Sequence, residues 1–298
     1  MILRDPKPSF VNPRDPWWLT VRKIESHHRA TLYPVPMPEL PEVETIVRGL
    51  ARRVTGDRIE SVWIGSRPQP LKSKPELIAL TLEDKKIVSV SRAGKHIVFD
   101  LKGNAKDAAQ WVVHLGMTGR MVVCEPTAEI AKLASGRELR FVDPRMFGKL
   151  SVHEGGFDPG GIEPLEVTEE QFINLFRGRK THIKSALLNQ KLVRGVGNIY
   201  ADESLFRAGI RPRRRASAVT RQELSKLHRA VRQVLREAIK LGGSSVSDYV
   251  DADGEEGFFQ LRHRVYGREG EPCLVCKTPI RRVVLAGRSS HYCPKCQK

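Results

Sequence analysis

The chain has 298 residues, of which 40% are hydrophobic, and a formal net charge of +17. This length is enough for two domains and a small module, and the hydrophobic content excludes global disorder. No run of about 18 apolar residues occurs, which argues against a membrane-spanning helix. The positive charge favours a polyanionic partner, although a ribosomal-type protein or a merely basic, soluble surface has the same composition.

Residues 1–36 differ from the rest of the chain. They contain six prolines and the pair Trp17-Trp18, and they show no sustained periodicity. The apolar core of a signal peptide is missing, and three acidic residues argue against a transit peptide. We therefore expect that translation starts at Met37, and that this N-terminal extension is a start-site artefact or disordered.

The next stretch predicts the start of an amphipathic helix with reactive chemistry in front of it. Val43 and Ile46 begin its apolar face, and Pro38 and Glu39 directly follow Met37. After removal of the methionine, Pro38 would carry a free secondary amine with a pKa near ~8, which attacks a sugar aldehyde carbon to give an iminium. The alternative is a proline in the first helical turn followed by acids that favour a helix start, which is common in any protein.

Alternating apolar and polar residues then predict an antiparallel β-sandwich with the first helix packed on one side. Glycines at 155–156 and 160–161 indicate a linker at its end. The predicted strands are 58–65, 80–92, 96–101, 111–115, 120–124 and 138–142.

Three turns of this part carry a cationic or an apolar side chain that is a candidate for binding a partner. Lys95 follows Gly94 in a tight turn, where a lysine is usually only solvated. Met117 lies in the turn His-Leu-Gly-Met-Thr-Gly, and Arg145 and Phe147 lie in the turn Asp-Pro-Arg-Met-Phe-Gly. Apolar side chains exposed on turns can act as wedges between base pairs, whereas core packing is the alternative for Met and Phe.

From residue 168 the period becomes helical, with amphipathic segments 169–176, 183–188, 200–208 and 221–241. Before the third segment, the sequence Gly-Val-Gly-Asn-Ile-Tyr lets a turn approach closely and offers helix N–H groups to a phosphate. The alternative is that its Asn198 only caps that helix. The polar, glycine-containing stretch 244–256 predicts a mobile loop.

Four of the five cysteines form two Cys-x-x-Cys pairs that are separated by sixteen residues. This spacing is typical of a structural zinc site in a reducing compartment, and pairing without a metal is the alternative. Arg288 lies on the predicted hairpin between the pairs, as a phosphate contact or as part of a solvated basic face. The predicted ligands are Cys273, Cys276, Cys293 and Cys296.

Together these motifs resemble the formamidopyrimidine-DNA glycosylase family. Five motifs occur in the family's order, from Met37 to the last residue. An α+β fold follows from the residue patterns and the resemblance: an N-terminal antiparallel β-sandwich with a flanking helix, a C-terminal helix–two-turn–helix domain and a β-hairpin zinc ribbon. The expected boundaries are 37–156 for the catalytic domain, 157–243 for the DNA-binding domain, 244–262 for a lesion-recognition loop and 263–298 for the zinc finger.

The resemblance implies a bifunctional DNA glycosylase and AP lyase of base-excision repair. Such an enzyme removes oxidised purines, namely 8-oxoguanine and formamidopyrimidines, from duplex DNA. Pro38 would attack C1′ of the deoxyribose and form a Schiff base, and Glu39 would act as general acid and base. Lys95 would contact a DNA phosphate at the active site, and β- and δ-elimination would cut the strand.

The resemblance also implies the DNA contacts. Lys184 and Asn198 match residues that bind the phosphates flanking the lesion. Met117, Arg145 and Phe147 match the residues that fill the gap left by the extruded base, with Arg145 facing the orphaned cytosine. The family often has a second arginine at the position after Arg145, where this chain has methionine, so one contact to DNA is missing here.

The implied partners are duplex DNA with oxidised bases or abasic sites and one structural Zn²⁺ ion, with no membrane. The resemblance further implies a monomer in the bacterial cytosol or nucleoid. One alternative is a non-catalytic, damaged-DNA-binding protein, because a retained extension makes the Pro38 nitrogen a tertiary amide. A second alternative is a zinc-ribbon module of transcription or translation, which leaves the Pro38-Glu39 start unexplained.

Overall fold

The structure is a computed structural model that describes residues 37–65, 70–103, 107–124, 131–245, 251–252 and 255–298. The predictions about residues 1–36 and about the centre of the loop at 244–262 lie outside these ranges. Within them, every helix is too short or too polar to span a bilayer.

Two four-stranded antiparallel sheets form the first part of the chain. The strands are β1 (Ile59–Val62), β2 (Lys86–Ala93), β3 (His96–Lys102), β4 (Ala108–His114), β5 (Arg120–Cys124), β6 (Ala131–Leu133), β7 (Glu138–Val142) and β8 (Lys149–His153). Their orders are β1-β6-β7-β5 and β2-β3-β4-β8. Apolar side chains from both sheets share one core, in which Phe99 stacks on Trp111 with ring centroids 4.7 Å apart. The predicted sandwich is confirmed.

Six α-helices accompany the sheets in the described part of the chain. They are α1 (Leu40–Val54), α2 (Pro75–Leu82), α3 (Glu169–Phe176), α4 (Ile183–Leu188), α5 (Asn198–Ala208) and α6 (Arg221–Lys240). α3 and α6 begin with capping boxes, in which Thr168 and Thr220 accept hydrogen bonds from backbone N–H groups of the first turn. α5 packs on α6 and ends at Gly209, whose φ of +72° fits a left-handed C-cap.

The first helix belongs to two cores at once. Val43, Ile46 and Leu50 of α1 pack into the sandwich core, whereas Leu40 lies in the core of the helical domain. The N-terminal end of α1 therefore lies where the sandwich meets the helices. This places Pro38 and Glu39 at the junction of the two domains.

The C-terminal segment is a hairpin of β9 (Arg281–Leu285) and β10 (Arg288–Tyr292) that packs on α5. Glu203 of α5 fixes the chain before the hairpin, because its carboxylate accepts hydrogen bonds from three successive backbone N–H groups at 264–266. Phe206, Val265 and Ile280 form a small core with the buried cysteines. The fold class predicted from the sequence is thus confirmed in all three parts.

The strand prediction at 80–92 is wrong at its beginning. Residues 80–82 belong to α2, which starts at Pro75 and buries Ile78 and Leu82 one turn apart. Over so short a run, the pattern Ile-x-x-x-Leu fits both the helical and the strand period. The sequence analysis also missed β6 and β8, although Leu150 and Val152 alternate with polar residues in β8.

Candidate functional site

The start of α1 is tied to the turn before α5. The Leu40 N–H donates to the Gly195 carbonyl at 3.0 Å, and Gly195 adopts a φ of +88° with its Cα against the Leu40 side chain. A side chain at position 195 would collide with Leu40, so glycine is required there. This contact holds Pro38, which is half-buried, beside the N-terminus of α5.

The Glu39 carboxyl group is buried at this junction, with 3% of the residue exposed. The Ile199 N–H of the first α5 turn donates to Oε1 at 3.2 Å, while Oε2 has no hydrogen-bond partner among the described residues. Burial raises the pKa of Glu39 to about 7, although the nearby Lys95 charge lowers it. A carboxyl group with this pKa is available both as an acid and as a base at neutral pH.

Glu42 fixes the backbone around Glu39. Its carboxylate accepts from the Glu39 N–H at 2.9 Å, from the Tyr200 hydroxyl at 2.5 Å and from the Ser244 N–H at 2.7 Å. These donors belong to the start of α1, to α5 and to the segment after α6. Burial raises the pKa of Glu42, which these hydrogen bonds oppose.

Lys95 lies opposite these acids on the turn between β2 and β3. Gly94 has a φ of +61°, as a two-residue hairpin turn requires of its first residue. Only 7% of Lys95 is exposed, and burial lowers the pKa of its ammonium, whereas the charges of Glu39 and Glu42 raise it. The turn lysine is thus enclosed in the pocket, and the reading as a solvated surface lysine is excluded.

A buried ion-pair cluster, the Arg92 clasp, holds this turn against the helical domain. The Arg92 guanidinium donates to both carboxylate oxygens of Glu163 at 3.0 Å and to Glu44 at 2.8 Å. It also donates to the Gly94 carbonyl at 3.2 Å. The side chains of Arg92 and Glu163 are 8% and 6% exposed, so little solvent screens this pair. The clasp joins the sandwich to the chain that follows the linker.

The two turns that carry the predicted wedge residues, 114–119 and 143–148, lie side by side and are called the wedge turns. Asp143 accepts hydrogen bonds from the Thr118 hydroxyl at 2.7 Å and from the Gly148 N–H at 2.6 Å. A Cβ at Gly116 would lie 2.5 Å from the Phe147 carbonyl carbon, so glycine permits the close approach of the two backbones.

The predicted wedge residues differ in their exposure. Met117 is half-buried, Arg145 is exposed, and the Phe147 residue is 52% exposed. The Arg145 guanidinium lies 5.0 Å from the centroid of the Phe147 ring, which is a cation–π distance. For Phe147, core packing is therefore excluded.

Met146 stands at the position where the family often has a second arginine, and it contributes to the wall of a cavity. It lines an apolar cavity of about 360 Å³ together with Trp63 and Phe141. An apolar side chain suits this wall, and its φ of +57° is uncommon for a residue with a Cβ.

Lys184 is placed differently from the prediction that it contacts a phosphate. The residue is 0% exposed, and its ammonium lies 2.7 Å from the Asp202 carboxylate and donates to the Ser289 carbonyl at 2.6 Å. Because these groups enclose the ammonium, it is not offered to a phosphate in this structure. The helical period of α4 carries Lys184 into the interior.

Asn198 and Arg288 come together with this cluster. Asn198 is the first residue of α5, while the cap is Gly197, so the reading of Asn198 as a helix cap is not supported. Its Nδ2 donates to the Ser289 hydroxyl at 3.3 Å, and its Oδ1 is buried without a partner among the described residues. Arg288 is exposed at the start of β10, and its charge lowers the pKa of Lys95.

The four cysteine sulfurs form a compact cluster in which all ligand atoms lie within 4.8 Å of one another. A tetrahedral Zn²⁺ with sulfur ligands at ~2.3 Å separates them by roughly 3.8 Å. The measured Sγ–Sγ distances of 3.9 Å for Cys273–Cys296 and 3.4 Å for Cys276–Cys293 fit that geometry. The cluster fits one zinc ion with four protein ligands, which is a structural site and leaves no position for catalysis.

The sequence analysis missed the residues that hold the predicted site residues in place. They are charged or hydroxyl side chains on the buried faces of α1 and α5, near the end of β2, and in the segments before α3 and after α6. A signal was present, since an acid or a lysine among apolar residues of a short amphipathic helix is unlikely to be solvated. The missed residues are Glu42, Arg92, Glu163, Tyr200, Asp202 and Ser244.

Comparisons with known proteins find similar sequences over most of the chain. Family models match in three parts: "Formamidopyrimidine-DNA glycosylase N-terminal domain" at 37–150, "Formamidopyrimidine-DNA glycosylase H2TH domain" at 161–250 and "Zinc finger found in FPG and IleRS" at 270–298. The formamidopyrimidine-DNA glycosylase of Solibacter usitatus is 49% identical over 88% of this chain and 100% of its own length. That of Thermus thermophilus is 44% identical over 88% of this chain and 98% of its own.

Solved structures are similar over the same part of the chain. The crystal structure of the MutM (Fpg) protein from Thermus thermophilus has a TM-score of 0.77 at 42% identity, covering 87% of this chain and 98% of that one. A Lactococcus lactis Fpg mutant in complex with DNA containing Fapy-dG has a TM-score of 0.78 at 33% identity, covering 88% of this chain and 100% of that one.

Proposed function

The chain belongs to the formamidopyrimidine-DNA glycosylase family of DNA-repair enzymes, and from that premise we propose that it excises oxidised purines from duplex DNA and cleaves the resulting abasic site. The substrates are 8-oxoguanine and formamidopyrimidines, and the catalytic intermediate is a Schiff base on Pro38. The observation that carries this proposal is the buried Glu39 carboxyl group, directly after Pro38, with its pKa raised to about 7.

The chemistry divides between Pro38 and Glu39. The Pro38 nitrogen attacks C1′, the C1′–N bond to the base breaks, and the base leaves with the proton that the attacking secondary amine gives up. Glu39 protonates the ring oxygen of the sugar as its C1′–O bond opens, which leaves an iminium between Pro38 and C1′. The iminium draws electrons from the sugar, so that loss of a C2′ proton expels the 3′ phosphate and a second elimination expels the 5′ phosphate.

The nucleophile requires a free N-terminus at Pro38. In the 298-residue chain the nitrogen of Pro38 is part of the peptide bond to Met37 and has no lone pair for attack. We therefore propose that the active form begins at Pro38, after a start at Met37 and removal of that methionine. The family match beginning at residue 37 supports this start.

DNA binding is assigned to the cations and wedges around the pocket. Lys95, Asn198 and Arg288 converge from the β2–β3 turn, the start of α5 and the zinc hairpin, and we assign them to the phosphates beside the lesion. Met117, Arg145 and Phe147 fill the space of the extruded base. Lys184 is not assigned a phosphate, since its ammonium is enclosed.

A zinc ion held by the four cysteines would stabilise the hairpin that carries Arg288. The Cys296 N–H donates to the Cys293 sulfur at 3.4 Å, a bond that stabilises a thiolate ligand.

The domain division at 37–156, 157–243, 244–262 and 263–298 belongs to the same proposal, as do a monomeric state and a location in the bacterial cytosol or nucleoid.

The second candidate function is damage binding without catalysis. The amide nitrogen of Pro38 in the full chain favours it, because the wedge and phosphate contacts do not depend on a free amine. A zinc-ribbon module of transcription or translation is the third candidate, and it predicts equal binding to damaged and intact duplexes.

A substrate panel tests the proposal. The chain begun at Met37 is incubated with duplexes containing 8-oxoguanine opposite cytosine, a formamidopyrimidine opposite cytosine, thymine glycol, or no lesion. We expect excision of the two oxidised purines and one-nucleotide gaps with phosphate at both ends, and loss of both in Glu39→Gln. Preference for thymine glycol contradicts the substrate assignment, and lesion binding without excision supports the non-catalytic alternative.

A further inference from the structure

The outer edge of β10 is held by side chains in place of a neighbouring strand. Its inner edge pairs with β9, with Ser290 opposite Val283. On the outer edge, the Ser289 carbonyl accepts from the Lys184 ammonium at 2.6 Å, and the His291 N–H donates to the Asp202 carboxylate at 2.8 Å. Alternate residues of a strand present their backbone groups to the same edge, and buried edge groups need partners. Lys184 and Asp202 supply one donor and one acceptor for them.

The two side chains are locked to each other and to the helices. The Lys184 ammonium and the Asp202 carboxylate lie 2.7 Å apart, with side chains 1% and 0% exposed. Asn198 lies one turn before Asp202 on α5 and reaches the Ser289 hydroxyl. Arg288 precedes Ser289 directly, so the backbone that this cluster fixes is the backbone that carries Arg288.

We propose that Lys184 and Asp202 are positioning residues, which set the outer edge of β10 so that the Arg288 guanidinium stays at the phosphate site beside Lys95 and Asn198. This inference rests on the proposed function, because the ligand of that site is the DNA backbone. Lys184 itself makes no phosphate contact.

The hairpin has other anchors that keep it folded without this pair. The Lys298 N–H donates to the Gly209 carbonyl at 2.9 Å, and the Gln297 amide donates to the Ile210 carbonyl at 2.8 Å. Glu203 holds the preceding turn. Substitutions at Lys184 and Asp202 therefore test the position of the β10 edge without detaching the zinc finger.

The test is the salt dependence of DNA affinity, measured on the full, zinc-loaded chain with a duplex containing a tetrahydrofuran abasic-site analogue. Each phosphate contact contributes roughly 0.9 to the slope of log K against log salt. Lys184→Gln/Asp202→Asn keeps a donor and an acceptor for the strand edge but removes both charges. We expect its slope and affinity to match the wild type, whereas a loss of about 0.9 in slope means that Lys184 binds a phosphate and overturns the inference.

A second variant removes the donor itself. Lys184→Met/Asp202→Asn is expected to weaken binding and to lower the slope by no more than Arg288→Gln does, and adding Arg288→Gln to it is expected to cause no further loss. Additive losses, or wild-type binding by the Lys184→Met pair, contradict the inference. Lys226→Met on the exposed face of α6 is the control for loss of a lysine charge, and zinc content and thermal unfolding verify the fold.

The proposed function fails by a different result in the same experiment. If the wild-type chain binds the abasic-site duplex no better than an intact one, lesion recognition is refuted, whatever the slopes of the variants. Preference for the abasic-site duplex together with additive losses refutes only the positioning role.

Discussion

The proposed catalytic pocket buries its charged side chains, whereas the wedge turns leave apolar and cationic side chains partly exposed to solvent. Glu39, Glu42 and Lys95 are at least nine-tenths buried, and each carboxylate is held by backbone or hydroxyl donors. Phe147 and Arg145 are exposed, and the Arg145 guanidinium lies over the Phe147 ring. Burial shifts pKa values and fixes geometry, and exposure leaves side chains free to enter a duplex.

This difference predicts that changes in the pocket affect both folding and chemistry, whereas changes in the wedge affect DNA binding alone.

The largest effect is expected at the Arg92 clasp. Arg92→Leu leaves the buried Glu163 carboxylate without its bidentate partner, and we expect the free energy of unfolding to fall by about 3–5 kcal/mol. Urea unfolding of the zinc-loaded protein measures it.

The matched control for the clasp is an ion pair on the surface. Arg221 pairs with Glu170 through side chains that are 63% and 54% exposed, and Arg221→Ala is expected to leave the unfolding midpoint unchanged. Equal destabilisation by Arg92→Leu and Arg221→Ala would show that burial of the clasp has no energetic consequence.

The next effect concerns the protonation of Glu39. Its pKa is about 7 in the folded state and 4.5 as the ordinary value, so the folded state binds the extra proton between these two pH values. Stability from this group is present below pH ~4.5 and is lost as pH rises through ~7, by about 3 kcal/mol in total. We expect Glu39→Gln to be more stable than wild type at pH 8 and to lose that advantage at pH 4.5.

Unfolding free energies of wild type and variant at the two pH values provide the comparison, since titrating groups that do not interact with Glu39 contribute equally to both. Lys95 and Glu42 are coupled to Glu39, and their contribution is part of the difference. The exposed Glu269→Gln is the control and is expected to show no such pH-dependent difference. A Glu39→Gln difference that is constant with pH would contradict a raised pKa.

A smaller effect is expected when the Glu39 carboxyl group is displaced without being removed. A Cβ at position 197 would lie 2.2–2.6 Å from the carboxyl atoms of Glu39. Gly197→Ala therefore shifts that group, and we expect single-turnover excision to slow by about 100-fold, as misplacements of roughly 1 Å do. Gly155→Ala, where nothing lies within 4 Å of the new Cβ, is expected to keep the wild-type rate. Equal rates in the two variants would refute the requirement for this close contact.

The smallest effect is expected at the wedge. Phe147→Ala removes a ring that the fold leaves 52% exposed, so the free energy of unfolding should change by less than about 0.5 kcal/mol. Affinity for a lesion duplex should fall roughly tenfold through lost stacking. Val284→Ala, at an exposed apolar position of β9, is the control. Loss of stability with unchanged affinity would show that Phe147 is a packing residue.

The sequence sufficed for the fold because its signals are local. Thr168 and Thr220 cap helices that start where the period changes, and the cysteine spacing defines the zinc hairpin. The helix at 75–82 was not predicted, because its short apolar run fits both the helical and the strand period. Its first residue, Pro75, was the available signal of a helix start.

The site was only partly predictable, for a physical reason. The reactivity of a free Pro38 amine can be read from the residues themselves, whereas the roles of Glu39 and Lys95 follow from the resemblance. The enclosure of Lys184 by Asp202 and Ser289 joins segments up to about a hundred residues apart, and no local pattern encodes it. From the sequence alone, a lysine at a helix start is interpreted as a surface cation, because the packing of the hairpin against it is not known.

The central claim is that the N-terminal amine of Pro38 is the nucleophile. Borohydride trapping on a duplex with 8-oxoguanine opposite cytosine tests it, with chains begun at Met1 and at Met37 and the intact mass of each recorded. We predict a covalent adduct only for the form whose mass begins at Pro38, and mapping of the adduct to that residue. Trapping of the uncleaved Met1 form would mean that another amine attacks, and the assignment of Pro38 would be wrong.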